Sequence, residues 1–290
     1  MPILIPMRSM RGSAMVLLAV GLMAPRARAQ RIRLEIKPQV GDTLRMRLDQ
    51  ESEMTGVRRT RTSESSAMMV NTMHMFSRAI VEGGTDEGRT VLAVTDSVQL
   101  STSDDASDAL AAQAEAQLRG QRVRFRVAPD GTVSMLQPNG DEQPDSAGHG
   151  EVAQAVSLMP AAFPRTPIAV GEAWTRDMPL PSGTQLGAQL SGRLHVTFRL
   201  DSVTHHNGLA YVSMHGTMRP ATGPGAASGA VLENGLVDGV MLIDQKRGWL
   251  TESRFTIVVN SMVTPPPSTG IVSMHVQMRI TQHMLTMPRR

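Results

Sequence analysis

Side chains that alternate between apolar and polar over long stretches limit the fold of this chain more than any other feature. Near the C-terminus Val272, Met274, Val276, Met278, Ile280 and Met284 fall on one side of an extended segment, and Ser273, His275, Gln277, Arg279, Thr281 and His283 fall on the other. Successive side chains of a strand point to opposite faces, so this period predicts a long half-buried strand. Leu194, Val196, Phe198 and Leu200 repeat the pattern, as do Val123, Phe125 and Val127, and Leu44, Met46 and Leu48. One apolar and one wet face per strand belongs to an antiparallel sheet; a parallel sheet is covered on both sides.

The connections agree. Asn207-Gly208, Pro129-Asp130-Gly131, Asp244 to Gly248 and Glu82 to Gly88 read as hairpin loops between alternating runs. Two segments read as short helices: Ala106 to Leu118, closed by Gly120, and Glu151 to Met159, stopped by Pro160. Residues 137–150 and 219–230 read as loops, being rich in Gly, Pro, Ala and Ser.

Residues 1–29 read as an export signal. Arg8 and Arg11 precede the apolar run Ala14 to Ala24, and Ala27-Arg28-Ala29 offers small residues for cleavage before Gln30. The run is too short for a membrane-spanning helix, which needs roughly 20 apolar residues. Residues 30–290 are then expected to form a single antiparallel β domain, periplasmic or secreted. The pattern Val40-Gly41-Asp42-Thr43-Leu44 returns as Val170-Gly171-Glu172-Ala173-Trp174, which suggests duplicated halves, 30–150 and 151–290.

The net charge of +3 comes from 29 basic and 26 acidic residues, but four of the arginines lie in 1–29. The remainder carries 25 basic against 26 acidic residues, or −1, so the basic pI is no nucleic-acid footprint. With no cysteine there is no disulfide, thiol nucleophile or thiolate metal site. Both lysines, Lys37 and Lys246, sit beside turn residues and suit no buried catalytic role.

Phe163-Pro164-Arg165-Thr166-Pro167-Ile168-Ala169-Val170-Gly171-Glu172-Ala173-Trp174 is the most distinctive stretch. It resembles the midpoint signature F-P-x-x-P-x-x-V-G-(D/E)-x-W of a family of uncharacterised exported bacterial proteins. That family is similar in layout to the half-barrel lipoprotein carriers of the LolA type. The resemblance implies a fold and a compartment: a curved antiparallel sheet, half-barrel or open barrel, with two short helices as a lid over an apolar hollow. Many members carry a lipidated cysteine, which this chain lacks. Read from the residues themselves, the signature is structural. Pro164 and Pro167 fix an extended crossing segment, Gly171 permits a tight turn, and Trp174 anchors the next strand in the core; Phe163 and Val170 complete the structural signature.

Candidate chemistry is sparse. Met73-His74-Met75, Met214-His215, Met274-His275 and His283-Met284 place thioether beside imidazole, and His205-His206 adds an imidazole pair, a set that suits Cu(I). Adjacent strand residues face opposite ways, which separates each sulfur from its neighbouring ring. Asp104, Asp105 and Asp108 lack the ligand spacing of a calcium loop. There is no G-x-S-x-G elbow, no H-E-x-x-H and no phosphate-binding glycine loop. The expectation is therefore a non-catalytic exported protein without cofactor that binds an apolar or lipid-like ligand. The alternatives are a structural or protein-interaction module of the cell envelope, or Met/His-based Cu(I) binding. No transmembrane segment is expected after signal cleavage, and no nucleic-acid partner.

Overall fold

The alternating runs become strands in a computed structural model that describes residues 31–104, 108–136, 163–179, 192–204, 208–220, 230–263 and 271–287. In chain order the elements are β1 (Arg31–Ile32), β2 (Thr43–Thr60), β3 (Glu64–Thr85), β4 (Gly88–Thr102), α1 (Asp108–Leu118), β5 (Arg122–Val127) and β6 (Val133–Met135). They continue with β7 (Ile168–Ala169), β8 (Ala173–Pro179), β9 (Gly192–Val203), β10 (Leu209–Pro220), β11 (Ala230–Asp244), β12 (Trp249–Val263) and β13 (Ile271–Thr286). Eleven strands form one open sheet in the order β6-β5-β4-β3-β2-β13-β12-β11-β10-β9-β8, with β6 and β8 at its edges. Every pair in it is antiparallel, because hairpins join neighbours and the last strand returns to the first long one.

The sheet curls into a half-barrel. Phe163 makes the curvature visible, since one residue reaches both ends of the strand order. Its N–H donates to the Asp130 carbonyl in the β5–β6 turn at 2.7 Å, and its carbonyl accepts from the Arg176 guanidinium of β8 at 3.0 Å. The side chain is 1% exposed. Residues 31–37 cross the same end. Ile36 N–H donates to the Pro129 carbonyl and Lys37 N–H to the Gly248 carbonyl, at 2.9 and 2.8 Å. Leu34 and Ile36 are buried by that crossing. β1 pairs with β7, and the Arg31 guanidinium holds both Glu172 carboxylate oxygens at 2.8 Å. This end is therefore closed over.

The two V-G-acid turns share one hydrogen-bond pattern. Gly41 N–H donates to Val81 O while Val81 N–H donates to Asp42 O; Gly171 N–H donates to Leu200 O while Leu200 N–H donates to Glu172 O. Both glycines hold a left-handed φ, +90° and +88°, which side-chain-bearing residues rarely adopt.

The expected helical lid is corrected. Among the described residues α1 is the single helix where two were expected, and it packs on β4. β5 pairs only with Arg89–Val94 of β4, which leaves the rest of that edge without a strand. The helix covers it: Glu115 Oε1 accepts the Leu100 N–H at 2.7 Å, and Leu118 is its buried residue. Alanine, glutamine and glutamate give α1 no apolar stripe to turn toward a hollow, and Leu110 is exposed. The helix expected at 151–159 lies outside the described residues. The loop expected at 219–230 is shorter, because β10 runs to Pro220 and β11 starts at Ala230.

Phe163→Ala removes the side chain that plugs the closed end. It should lower stability by about 3–5 kcal/mol, read as a lower midpoint in thermal or denaturant unfolding followed by circular dichroism.

Candidate functional site

Register places the inward side chains in transverse rows, and exposure along those rows locates the site. Toward the closed end, one row runs Val98, Met75, Leu48, Met284, Ser253, Met241, Val212 and Leu200 from β4 to β9. All eight are buried. A cavity of about 20 Å³, bounded by Ile36, Met46, Phe125, Phe163, Trp249 and Leu250 among others, is left at this end. That is room for about one water molecule, so the closed end is a filled core.

Three rows further out the pattern changes on one side. Met218, Leu194 and Val259 stay buried on β10, β9 and β12, while Met54 and Met69 on β2 and β3 are half-buried, as is Met73 two rows nearer the closed end. Leu100, Met274 and Val276 are half-buried beside them. Met69, Met54 and Met278 are direct cross-strand neighbours across β3, β2 and β13. The accessible part of the concave face is thus a methionine-rich apolar mouth at the far end of β3, β2 and β13.

On the side of β10 and β11 the lining is packed down by glycine. A Cβ on Gly239 would meet Met214 Cε at 2.5 Å and Phe255 Cβ at 2.7 Å, so the methionine lies flat over bare backbone. Gly235 admits Met218 in the same way, with Sδ at 2.6 Å from the position of a Cβ.

The convex face is charged. Its histidines pair with carboxylates from adjacent strands: His74 with Asp49 and His195 with Asp177 at 2.7 Å, His215 with Asp238 at 2.5 Å, and His283 with Glu252 at 3.0 Å. His275 lies 3.7 Å from Glu233. The thioether–imidazole dipeptides therefore divide between the faces. Met73 and Met75 turn inward while His74 meets Asp49, and Met214 turns inward while His215 meets Asp238. Among the described residues no group of three or more His, Asp or Glu is placed to hold a metal. His205 and His206 lie outside the described residues.

The signature residues gather at the closed end, away from the mouth. Phe163 is buried, Pro164 half-buried and Pro167 exposed, with the Pro167 carbonyl accepting from Arg31. Val170 is exposed, Gly171 makes the turn, and Trp174 stacks on Phe198 with ring centroids 5.5 Å apart. Sequence reading missed the polar positions on the inner face. Ser52, Ser253 and Gln282 are buried there, and Gln50 lies opposite Gln282. A signal was present: Gln282 interrupts the series Met278, Ile280, Met284, and Gln50 and Ser52 interrupt the series that starts at Leu44.

No protein-family model matches the chain, and no curated protein matches it. Solved structures do. A lipovitellin structure on lipid–protein interactions matches with a TM-score of 0.49 at 11% identity, covering 87% of this chain and 26% of that one. The chain thus spans about a quarter of lipovitellin's length. An outer membrane channel from Pseudomonas putida F1 matches with a TM-score of 0.23 at 11% identity, covering 88% of this chain and 98% of that one. A structure described as an outer membrane lipoprotein-sorting protein domain from Vibrio parahaemolyticus has a TM-score of 0.14 at 10% identity, covering 83% and 84%. Among the described residues no helix is long and apolar enough to cross a membrane.

Two of the convex-face acids have displaced pKa values. Burial works against the charge on Asp49, but hydrogen bonds from His74 and Arg47, with their positive charges, outweigh it and hold the carboxyl below 3.8. The hydrogen bond from His195 holds Asp177 below the same value. A depressed folded value means the ionised pair stabilises the fold above the unfolded pKa, and that contribution is lost as pH falls through the folded one. Melting temperature measured from about pH 5 to about pH 2.5 should therefore fall further for the wild type than for Asp49→Asn, which has no carboxyl to titrate.

Proposed function

We propose that the protein is an exported, non-catalytic binding module that takes an acyl chain or similar apolar molecule on the concave face of its half-barrel. One observation carries this reading: the inner face is largely apolar, yet its far end toward β2, β3 and β13 is left partly unfilled. At the mouth Met54, Met69, Met73 and Met274 remain half-exposed. Apolar surface gathered into a concavity and left partly wet is the usual setting of a small-molecule site. Methionine suits it, because an unbranched, polarizable side chain repacks around guests of different shape at low cost. Export is supported by the charged, apolar and small-residue segments of residues 1–29. The absence of catalysis rests on the same sequence, in which no nucleophile–base arrangement stands out.

A second reading, an interaction module of the cell envelope, draws on the convex face of β11. Val231, Leu236 and Val240 are all exposed there, and Leu236 lies opposite Val258 of β12. A partner chain would use that face and leave the mouth free.

The two readings separate in one experiment. Nile red should brighten on binding the purified protein, and native mass spectrometry should show apolar mass carried from the envelope. Met54→Glu, which puts a charge in the mouth, should weaken Nile red binding by about tenfold or more. Met68→Glu, on the convex face, should leave it unchanged. Dye binding that is absent, or lost equally in both folded variants, removes the concave face from consideration.

A further inference from the structure

Directly beneath the mouth the apolar lining is broken by amide and hydroxyl groups. The row below Met69, Met54 and Met278 holds Asn71, Ser52 and Ile280, and the next holds Met73, Gln50, Gln282 and Phe255. Ser253 lies diagonally beyond Gln282, opposite Met284. Gln282 is 3% exposed and Ser253 2%. Among the described residues, neither Gln282 Oε1 nor Ser253 Oγ has a hydrogen-bond partner. Leaving such a group unsatisfied is destabilising, and a methionine or valine would fit the surrounding pattern without that cost. On β2 and β3 the half-buried inner positions end in the Gln282 row, at Gln50 and Met73, roughly 27 Å along β13 from Met274.

We propose, building on the apolar-binding reading, that Gln282 and Ser253, flanked by Gln50 and Ser52, form the anchor for an uncharged polar head on the apolar guest. The class is an acyl ester or amide that also carries a hydroxyl. A carboxamide offers an acceptor oxygen and two donor hydrogens, so Gln282 Oε1 accepts a hydrogen bond from a hydroxyl while its amide N–H donates one to a carbonyl oxygen. Ser253 adds one more donor. The four central strands place no ionised side chain on these inner rows: Asn71, Met73 and Met75 of β3, Gln50 and Ser52 of β2, Ile280 and Gln282 of β13, and Phe255 and Ile257 of β12 are all uncharged. An ionised carboxylate or phosphate would enter unpaired and bear its full desolvation cost. The methionines on either side, Met73 in the same row and Met75 in the next, yield to admit the head.

The test compares two probes that share a ten-carbon chain, monodecanoylglycerol and decane, by displacement of Nile red. The wild type should prefer the ester by about tenfold, the worth of one well-made buried hydrogen bond. Gln282→Met keeps the volume and removes the amide; it should abolish that preference while leaving decane binding in place. Ser253→Ala, the smaller change, should reduce the preference in part, and circular dichroism checks that both variants are folded. A preference that survives both substitutions overturns the anchor and leaves apolar binding standing. Failure of both probes to displace the dye from the wild type overturns the apolar-binding reading, and the anchor with it.

Discussion

The pairing of β13 with β2 is the contact on which the rest of the molecule depends. It runs from Met46 opposite Thr286 to Thr60 opposite Ile271, joining the last strand to the first long one. Without it the chain would be two hairpin ladders, each with one apolar face and no partner for it. With it, Leu48 meets Met284 and Met54 meets Met278, and two half-faces become a single concave surface. Register matters as much as the pairing. A slip of one residue would turn every inward methionine of one ladder to solvent and bring its arginines inside.

Curvature follows from what crosses the closed end. Phe163 is bonded to the β5–β6 turn and to β8, and residues 31–37 tie the β5–β6 turn to the β11–β12 turn. These crossings hold the wall narrow at one end, where side chains from facing strands meet and exclude water. Nothing comparable spans β2, β3 and β13 near residues 54–73 and 274–276 among the described residues, and there the methionines stay partly wet. One filled end and one open end on the same apolar face is a gradient built by the connections, since the strand pattern itself is uniform along its length.

That uniformity explains what could be read in advance. Alternation identifies β2, β9 and β13 and assigns their faces, because period two is a local property of the chain. The hairpin glycines follow in the same way: Gly131, Gly208 and Gly248 all hold positive φ. Which strands meet is not local. No residue pattern announces that β13 returns to β2, or that β4 outruns β5 and leaves an edge for α1 to cover. The histidine–carboxylate pairs were hidden for that reason, since His74 and Asp49 lie 25 residues apart in sequence. The polar floor was legible in part. Gln282 breaks an otherwise apolar series, and only the burial of Ile280 and Met284 around it shows that the break faces inward.

Because the chain has no cysteine, the β2–β13 register can be read with a pair of introduced thiols. Directly opposed residues bring their Cα atoms to about 4.5–5.5 Å, within the span of a disulfide. Glu51 and Thr281 are such a pair, whereas Gln50 and Thr281 belong to opposite faces. The measurement is peptide mass spectrometry of the two oxidised double variants. Cross-linking in Glu51→Cys/Thr281→Cys, with free thiols in Gln50→Cys/Thr281→Cys, is the result the fold predicts. The reverse pattern, or no link in the first pair, would mean the two ladders do not share one concave face.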